Sequence, residues 1–217
     1  MSKMDEEIIA VKRTKLFGHS DEYAFSGFLS YDKNFELSEL LLNRLFKDNE
    51  LGRRGDYEED PSYKQPIPYV VLMTDGPNGL EVYTYERLKG GGEARLHNKL
   101  SIGVGGHMNL LYDYPTLYDE AVRELDEELH IDVNTCRYRV VGMINDDSSD
   151  VSRVHIGILI TAKVPPTLAK EIHVREEDQL RGEWINIEKL REVSMASRLE
   201  SWSAIALDYL ISNYALK

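Results

Sequence analysis

With 217 residues, 42% hydrophobic and 29% charged, the chain has the composition of a globular protein able to bury a substantial core as one domain, and collagen-like, disordered and membrane classes do not fit. No apolar run reaches the roughly 18 residues of a membrane span, and the start MSKMDEEIIAVKR is acidic where a secretory leader is apolar, so a soluble, cytoplasmic protein is expected. The net charge of −12 argues against nonspecific binding to a nucleic-acid polymer, which needs cations to displace counterions; a phosphorylated small molecule bridged by a metal stays open.

In chain order, EEIIAVKRTKLF reads as a strand with a basic edge, followed by a loop through GFLSYDKN. FELSELLLNRLF spaces Leu37, Leu40, Leu41, Leu45 and Phe46 by threes and fours, the period of an amphipathic helix that covers a sheet. GRRGDYEEDPSYKQPIP is polar and broken by three prolines, so a surface excursion is expected there. PYVVLMT and LEVYTYER are apolar, β-branched and aromatic, and DGPNG between them is hairpin punctuation. KLSIGVGG, RYRVVGMI, RVHIGILITA and GEWINI read as further strands. IEKLREV and SRLESWSAIALDYLIS close the chain as helices, the second with Leu199, Trp202, Ile205, Ala206, Tyr209 and Leu210 on one side. No internal repeat is visible, and the interleaving predicts a layered mixed sheet with helices packed on its faces, an α/β (α+β) architecture. Cys136, the single cysteine, excludes an internal disulfide framework and reads as a small buried hydrophobe or a free thiol.

The stretch GGHMNLLYDYPTLYDEAVRELDEELHI carries the chemistry. Thr116 after Pro115, with Asp119 three residues on, predicts an N-cap and helix entry near Leu117. At about 100° per residue, Leu117, Ala121, Val122, Leu125 and Leu129 share one arc, and Glu120, Glu124, Glu127 and Glu128 the adjacent one. Like charges four residues apart destabilise a helix by a few tenths of a kcal/mol, about 0.2–0.5 per pair, and only Arg123 on the helix body offsets them. Either this is a solvated acidic face, or carboxylates at i, i+3 and i+4 converge on a hard divalent cation.

The same stretch resembles the Nudix box, in which a glycine, five residues, a glutamate and seven residues precede Arg-Glu-apolar-x-Glu-Glu-x-Gly-apolar. Gly106 matches the opening glycine, Arg123 and Glu124 the Arg-Glu pair, Leu125 the apolar site, Glu127 and Glu128 the Glu-Glu pair, and Ile131 the final apolar residue. Two departures stand out. Gly106 and Arg123 are seventeen positions apart instead of fourteen, and Pro115 stands in register with the early glutamate, for which Asp113 or Glu120 can substitute. His130 replaces the closing glycine, and histidine enters the left-handed helical region more readily than most residues. With KGGGEARLH before the box and INDD after it, the chain is similar, from about Tyr69 onward, to a bacterial subgroup of the family described as predicted phosphoesterases.

The resemblance implies a Nudix-like α/β/α sandwich, with one domain over 1–217 made of a 67–217 core and a 1–66 extension packed on it. It also implies a hydrolase cleaving a diphosphate linkage in a nucleoside diphosphate derivative or similar phosphorylated small molecule. Mg²⁺ or Mn²⁺ would sit on Glu124, Glu127 and Glu128, with Arg123 orienting a box carboxylate and Glu127 also counted as catalytic. Arg123 itself is placed away from the carboxylate arc. A general base is expected from the box or a later acidic loop, where Glu177 is the candidate beside Glu176 and Asp178. Family members are often homodimers, and neither a membrane nor a nucleic-acid polymer is implied as a partner. A nucleotide-binding sensor without turnover is the alternative, because boxes decay. An isomerase relying on a cysteine is disfavoured, since Cys136 lies beyond the helix.

Other residues have weaker readings. KGGGEARLHNK is a phosphate cradle or a Gly-rich connection, and its local positive charge favours substrate contact by Arg87 and Arg95. Gly105, Gly106 and His107 are substrate-binding candidates by position. Asp146 and Asp147 read more readily as turn chemistry than as ligands, and His155, alternating within an apolar strand, as a core histidine. Tyr83 or Tyr85 can stack on a base.

Overall fold

The computed structural model describes residues 2–88 and 99–214, apart from the side chains of Arg87, Val193 and Ser194. The strands are β1 (Glu7–Lys12), β2 (Gly27–Ser30), β3 (Asn49–Arg53), β4 (Tyr63–Gly76), β5 (Gly79–Arg87), β6 (Leu100–Ser101), β7 (Leu129–His130), β8 (Arg137–Asn145), β9 (His155–Lys163), β10 (His173–Val174) and β11 (Leu180–Asn186). The helices are α1 (Arg13–Phe17), α2 (Phe35–Asp48), α3 (Arg54–Tyr57), α4 (Tyr114–Glu128), α5 (Asp150–Arg153), α6 (Ile187–Leu190), α7 (Val193–Ala196) and α8 (Ser201–Tyr214). The result is a mixed sheet with helices, an α+β fold. The described residues group into two compact units: the first holds the chain up to Tyr69 with Gly105–Ala121 and Val140–Ile160, the second Val70–Val104, Val122–Arg139 and the chain from Thr161 on.

In the first unit β1 pairs antiparallel with β3 and, through Val11 and Lys12, with Lys64 and Tyr63 of β4; β2 pairs antiparallel with β8, Gly27 opposite Asn145. The four-residue β2 lies where the sequence predicts a loop: GFLS is too short to show an alternating pattern, and it is its pairing with β8 that makes it a strand. A larger difference concerns Tyr63–Pro68, expected as part of a surface excursion. These residues begin β4, and Lys64 to Pro68 are all buried. Amides of alternate strand residues face the same edge. The two missing donors, at Pro66 and Pro68, therefore fall together between the Lys64 pairing and the Val70–Val104 bridge, while Gln65 N–H still donates to Val154 O at 2.7 Å. Helix α2 buries Ser38, Leu41, Leu42 and Leu45: Leu41 and Leu45 lie on the predicted stripe, whose Leu37, Leu40 and Phe46 are half-buried.

In the second unit β5 pairs antiparallel with β4, β6 and β11, the β4–β5 turn closing on Gly76 opposite Gly79. Gly79 has φ +111°, a conformation that asks for glycine at the tip of the predicted hairpin. Gln65 N–H donates to Val154 O and, further along, Val164 N–H to Met73 O at 2.8 Å, so residue numbers rise together and β9 runs in the direction of β4, which makes the sheet mixed.

Helix α4 starts three residues before the predicted entry. Asp113, not Thr116, is the cap: its Oδ1 accepts from Thr116 N–H at 3.0 Å, while Thr116 Oγ1 accepts from Asp113 N–H at 3.1 Å, a reciprocal capping box. Pro115 then falls in the first helical turn, where its missing donor is not needed. The Tyr114 hydroxyl donates to Glu39 Oε1 on α2 at 2.7 Å and pins this end. Of the predicted apolar arc Leu117, Ala121, Leu125 and Leu129 are buried and Val122 is half-buried, each leucine stabilising the fold by about 2 kcal/mol. His130 does not take the left-handed conformation considered for it. Among the described residues Asp21 is the non-glycine with positive φ; His130 is extended, pairs with His173 of β10 and stacks on its ring at 4.4 Å. Strand pairing removes the need for the glycine.

Candidate active site

The box carboxylates sit on the last two turns of α4. Glu124 is buried, 7% exposed, whereas Glu127 and Glu128 face solvent. Burial pushes the Glu124 carboxyl up to about 7 against the pull of Arg123, and the charges of Glu127 and Glu128 push the same way. Arg123 does not point away from the acidic arc. Its long side chain folds back so that Nη2 lies 2.8 Å from Glu124 Oε1 and Nη1 2.9 Å from Glu127 Oε1. A forked guanidinium reaches neighbours at i+1 and i+4 that a projection of Cα directions separates. Arg175 fixes the far end of the helix: its Nε donates to Leu129 O at 3.1 Å and its Nη2 meets Asp126 Oδ1 at 3.1 Å, a cation at the negative helix terminus.

These residues suit a hard divalent cation. Three carboxylates offer the hard oxygen donors such an ion takes, and the Glu124 carboxyl is raised chiefly by burial, with Glu127 and Glu128 adding to the rise. Glu177 lies exposed in the turn between β10 and β11. Arg87 ends β5 opposite Leu180, with its side chain outside the described residues. Arg95 and the triple glycine lie wholly outside them.

Gly105 and His107 are accounted for within the first unit. A Cβ on Gly105 would fall far inside contact distance of Pro68 O and also crowd Ile67, so this glycine lets backbone approach backbone. Gly105→Ala is expected to destabilise the protein by about 2–3 kcal/mol, measured as a lower urea midpoint at unchanged slope; an unchanged midpoint would show that the loop moves aside freely. Gly106 is half-buried. His107 turns inward: its Nε2 lies 2.8 Å from Gln65 Oε1, 3.2 Å from His155 Nε2 and 3.8 Å from Glu58 Oε1. Burial, then the neighbouring charge of Arg54, pushes the His107 imidazole down to about 3, and burial lowers His155 as well. Both rings are therefore neutral at pH 7.

Among the described residues, Glu58, His107 and His155 form the group of three ligand-type side chains whose donor atoms all lie within 4.8 Å of one another. The box glutamates, two of them joined through Arg123, are not such a group. Sequence reasoning missed Glu58 and Gln65 and took His155 for a core histidine. Its Nδ1 is indeed satisfied, 2.6 Å from Val151 O, but its Nε2 faces His107.

Asp147 is a countercharge. Lys64 is wholly buried, its Nζ 2.6 Å from Asp147 Oδ1, and Arg13 Nη2 lies 3.0 Å from Asp147 Oδ2. Burial alone would raise the Asp147 carboxyl, but hydrogen bonds from Arg13 and Lys64 outweigh it and hold it below the ordinary range. Asp146 Oδ1 accepts from Ser148 N–H at 3.0 Å, which is turn chemistry.

Fold and box helix together define the class: the chain belongs to the Nudix hydrolase family, enzymes acting on pyrophosphate bonds. Among solved structures it is similar to Tm1382, provisionally assigned as a Nudix hydrolase, with TM-score 0.69 and 28% identity over 96% of this chain and 100% of that one. More particularly, it is 40% identical over 215 residues to Protein YmaB of Bacillus subtilis (strain 168), covering 97% of this chain and all of that protein. A looser likeness, TM-score 0.49 and 16% identity, links it to a mutT/nudix family protein of Listeria innocua, over 68% of this chain and 92% of that one. No family model matches the chain. Among the described residues no helix is long and apolar enough to cross a membrane.

Proposed function

We propose that the chain hydrolyses a diphosphate linkage in a nucleoside diphosphate derivative or a similar phosphorylated small molecule, with Mg²⁺ or Mn²⁺ held by Glu124, Glu127 and Glu128. The observation that carries this is Glu124, a carboxyl buried on the box helix and raised to about 7 beside two further carboxylates. A buried acid that shares Arg123 with a second carboxylate is unlike a solvated face, and with Glu128 the set suits an ion site. The cation, when bound, supplies positive charge against the diphosphate and acidifies a bound water.

The chain supplies the rest. Arg123 grips Glu124 and Glu127 through two nitrogens and sets their spacing. Glu128, exposed at the helix end, adds the third carboxylate. Arg175, bonded to the carbonyl of Leu129, holds the end of the helix so that these carboxylates keep one geometry. Glu177 is the proposed general base, an exposed carboxylate able to take a proton from water, and Arg87 and Arg95 are the proposed cations for the substrate's phosphates.

The test is phosphate release from a panel of nucleoside diphosphate derivatives with Mg²⁺, Mn²⁺ or EDTA. Release that needs the cation supports the proposal. Tight binding of a panel member without turnover would replace hydrolysis with the sensor alternative, and neither binding nor turnover would remove this substrate class.

A further inference from the structure

Four side chains from distant parts of the sequence meet in the first unit: Glu58 just past α3, Gln65 on β4, His107 after the glycine pair and His155 opening β9. Around a tetrahedral ion with bonds of about 2.0–2.1 Å, donor atoms stand about 3.3 Å apart. Here His107 Nε2 lies 3.2 Å from His155 Nε2 and 3.8 Å from Glu58 Oε1, with all three donors inside 4.8 Å. The trio is already close to a coordination shell.

The partners set the tautomers: Gln65 Oε1 can only accept, so in the ion-free protein His107 Nε2 carries a hydrogen, and coordination by that nitrogen moves the hydrogen to Nδ1. Val151 O can only accept, so His155 Nδ1, 2.6 Å away, carries the hydrogen and Nε2 presents its lone pair to the centre. An imidazole fixed by a backbone carbonyl on one nitrogen and facing inward with the other is the usual posture of a metal-ligating histidine. Glu58 is held by Arg54 Nε at 2.8 Å.

A buried carbonyl oxygen faces the same centre. Gln65 is wholly buried, its Oε1 aimed at His107 Nε2 from 2.8 Å, and its Nε2 has no hydrogen-bond partner. Leaving a buried amide N–H unsatisfied costs about 1–3 kcal/mol, and an apolar residue on β4 would avoid it. The geometry points to a transition-metal site in which His107 Nε2, His155 Nε2 and the Glu58 carboxylate bind a dication of the zinc class, with Gln65 Oε1 as a further oxygen beside it. Two imidazoles and one carboxylate select zinc-class ions over Mg²⁺. The site is independent of the box glutamates in donor chemistry. Its ion would tie the loop after Gly106 to β4 and β9, a structural cross-link.

The test uses the full chain, stripped with EDTA and exchanged into metal-free buffer, and titrated with Zn²⁺ against a chromophoric chelator. With Mg²⁺ in large excess to occupy the box carboxylates, one Zn²⁺ per chain is expected, with affinity falling about a hundredfold in His155→Ala and at least about tenfold in Glu58→Gln, and unchanged in Glu127→Gln. A hundredfold excess of Zn²⁺ over its Kd should raise Tm by about 5 °C in the wild type and much less in Glu58→Gln. If His155→Ala does not fold, Glu58→Gln and the visible spectrum of the Co²⁺-loaded wild type decide: intense tetrahedral bands support the site, and the spectrum of aqueous Co²⁺ overturns it. No uptake by the wild type, wild-type affinity in Glu58→Gln, or loss of Zn²⁺ in Glu127→Gln would each overturn it.

Discussion

Glu127→Gln is expected to lower turnover with saturating Mg²⁺ by more than about a hundredfold while leaving the fold intact. Two observations separate those effects. The Glu127 side chain is 57% exposed and its ion pair is with Arg123 of the same helix, and such an exposed pair contributes about 0.3–0.5 kcal/mol. Its charge, however, is one third of the carboxylate set assigned to the cation. The measurement is kcat on the best substrate of the panel beside a thermal melt. Turnover equal to wild type would remove Glu127 from the site, and a melt lowered by many degrees would mean that the residue is structural.

The second large effect is on stability. Glu124→Gln should stabilise the cation-free protein at pH 8 and abolish activity. The Glu124 carboxyl titrates near 7 in the folded chain, above the value of about 4.3 in an unfolded one. The folded state therefore binds this proton more tightly, so the group's contribution to stability is complete below about pH 4.3 and lost as pH rises through about 7. The full effect has an upper bound of about 3.7 kcal/mol, and relaxation around a carboxyl that water still reaches brings the expected gain for Gln at pH 8 to about 1–2 kcal/mol. Urea unfolding in EDTA at pH 4 and pH 8 checks this: the variant should gain on the wild type only at the higher pH. Saturating Mg²⁺ should then stabilise the wild type and not the variant. Equal stabilities at pH 8 would show that Arg123 already offsets the burial of the charge.

The box helix was legible because its information is local. Leu117, Ala121, Leu125 and Leu129 recur at the helical period, and RELDEEL needs no tertiary contact to be recognised. The long apolar runs of β4, β5 and β9 were legible for the same reason. What escaped depends on partners. GFLS becomes a strand by pairing with β8, and Tyr63–Pro68 becomes one because both prolines face an edge where no donor is required. Asp113 displaced Thr116 as the cap because either residue satisfies the same pattern three positions apart, and only the hydrogen bonds distinguish them. The histidine cluster was illegible in a stronger sense: Gln65 and His107 are 42 residues apart, and His107 and His155 are 48. No spacing in the sequence links them, and only the fold brings them together.

Consecutive residues of a strand point to opposite faces, so Lys64 is committed to Asp147 on one side of β4 and Gln65 to His107 on the other. A shift of β4 by one position would exchange an ammonium for an amide on each side, leaving a positive charge among histidines and Asp147 with Arg13 alone. An apolar strand tolerates such slippage far better, because valine and isoleucine are nearly interchangeable there. The adjacent polar pair thus works as an alignment key: it forbids misthreaded forms of the strand during folding, and a single-residue insertion between Tyr63 and Val70 should trap the chain in non-native states even if every hydrophobic contact is restored elsewhere.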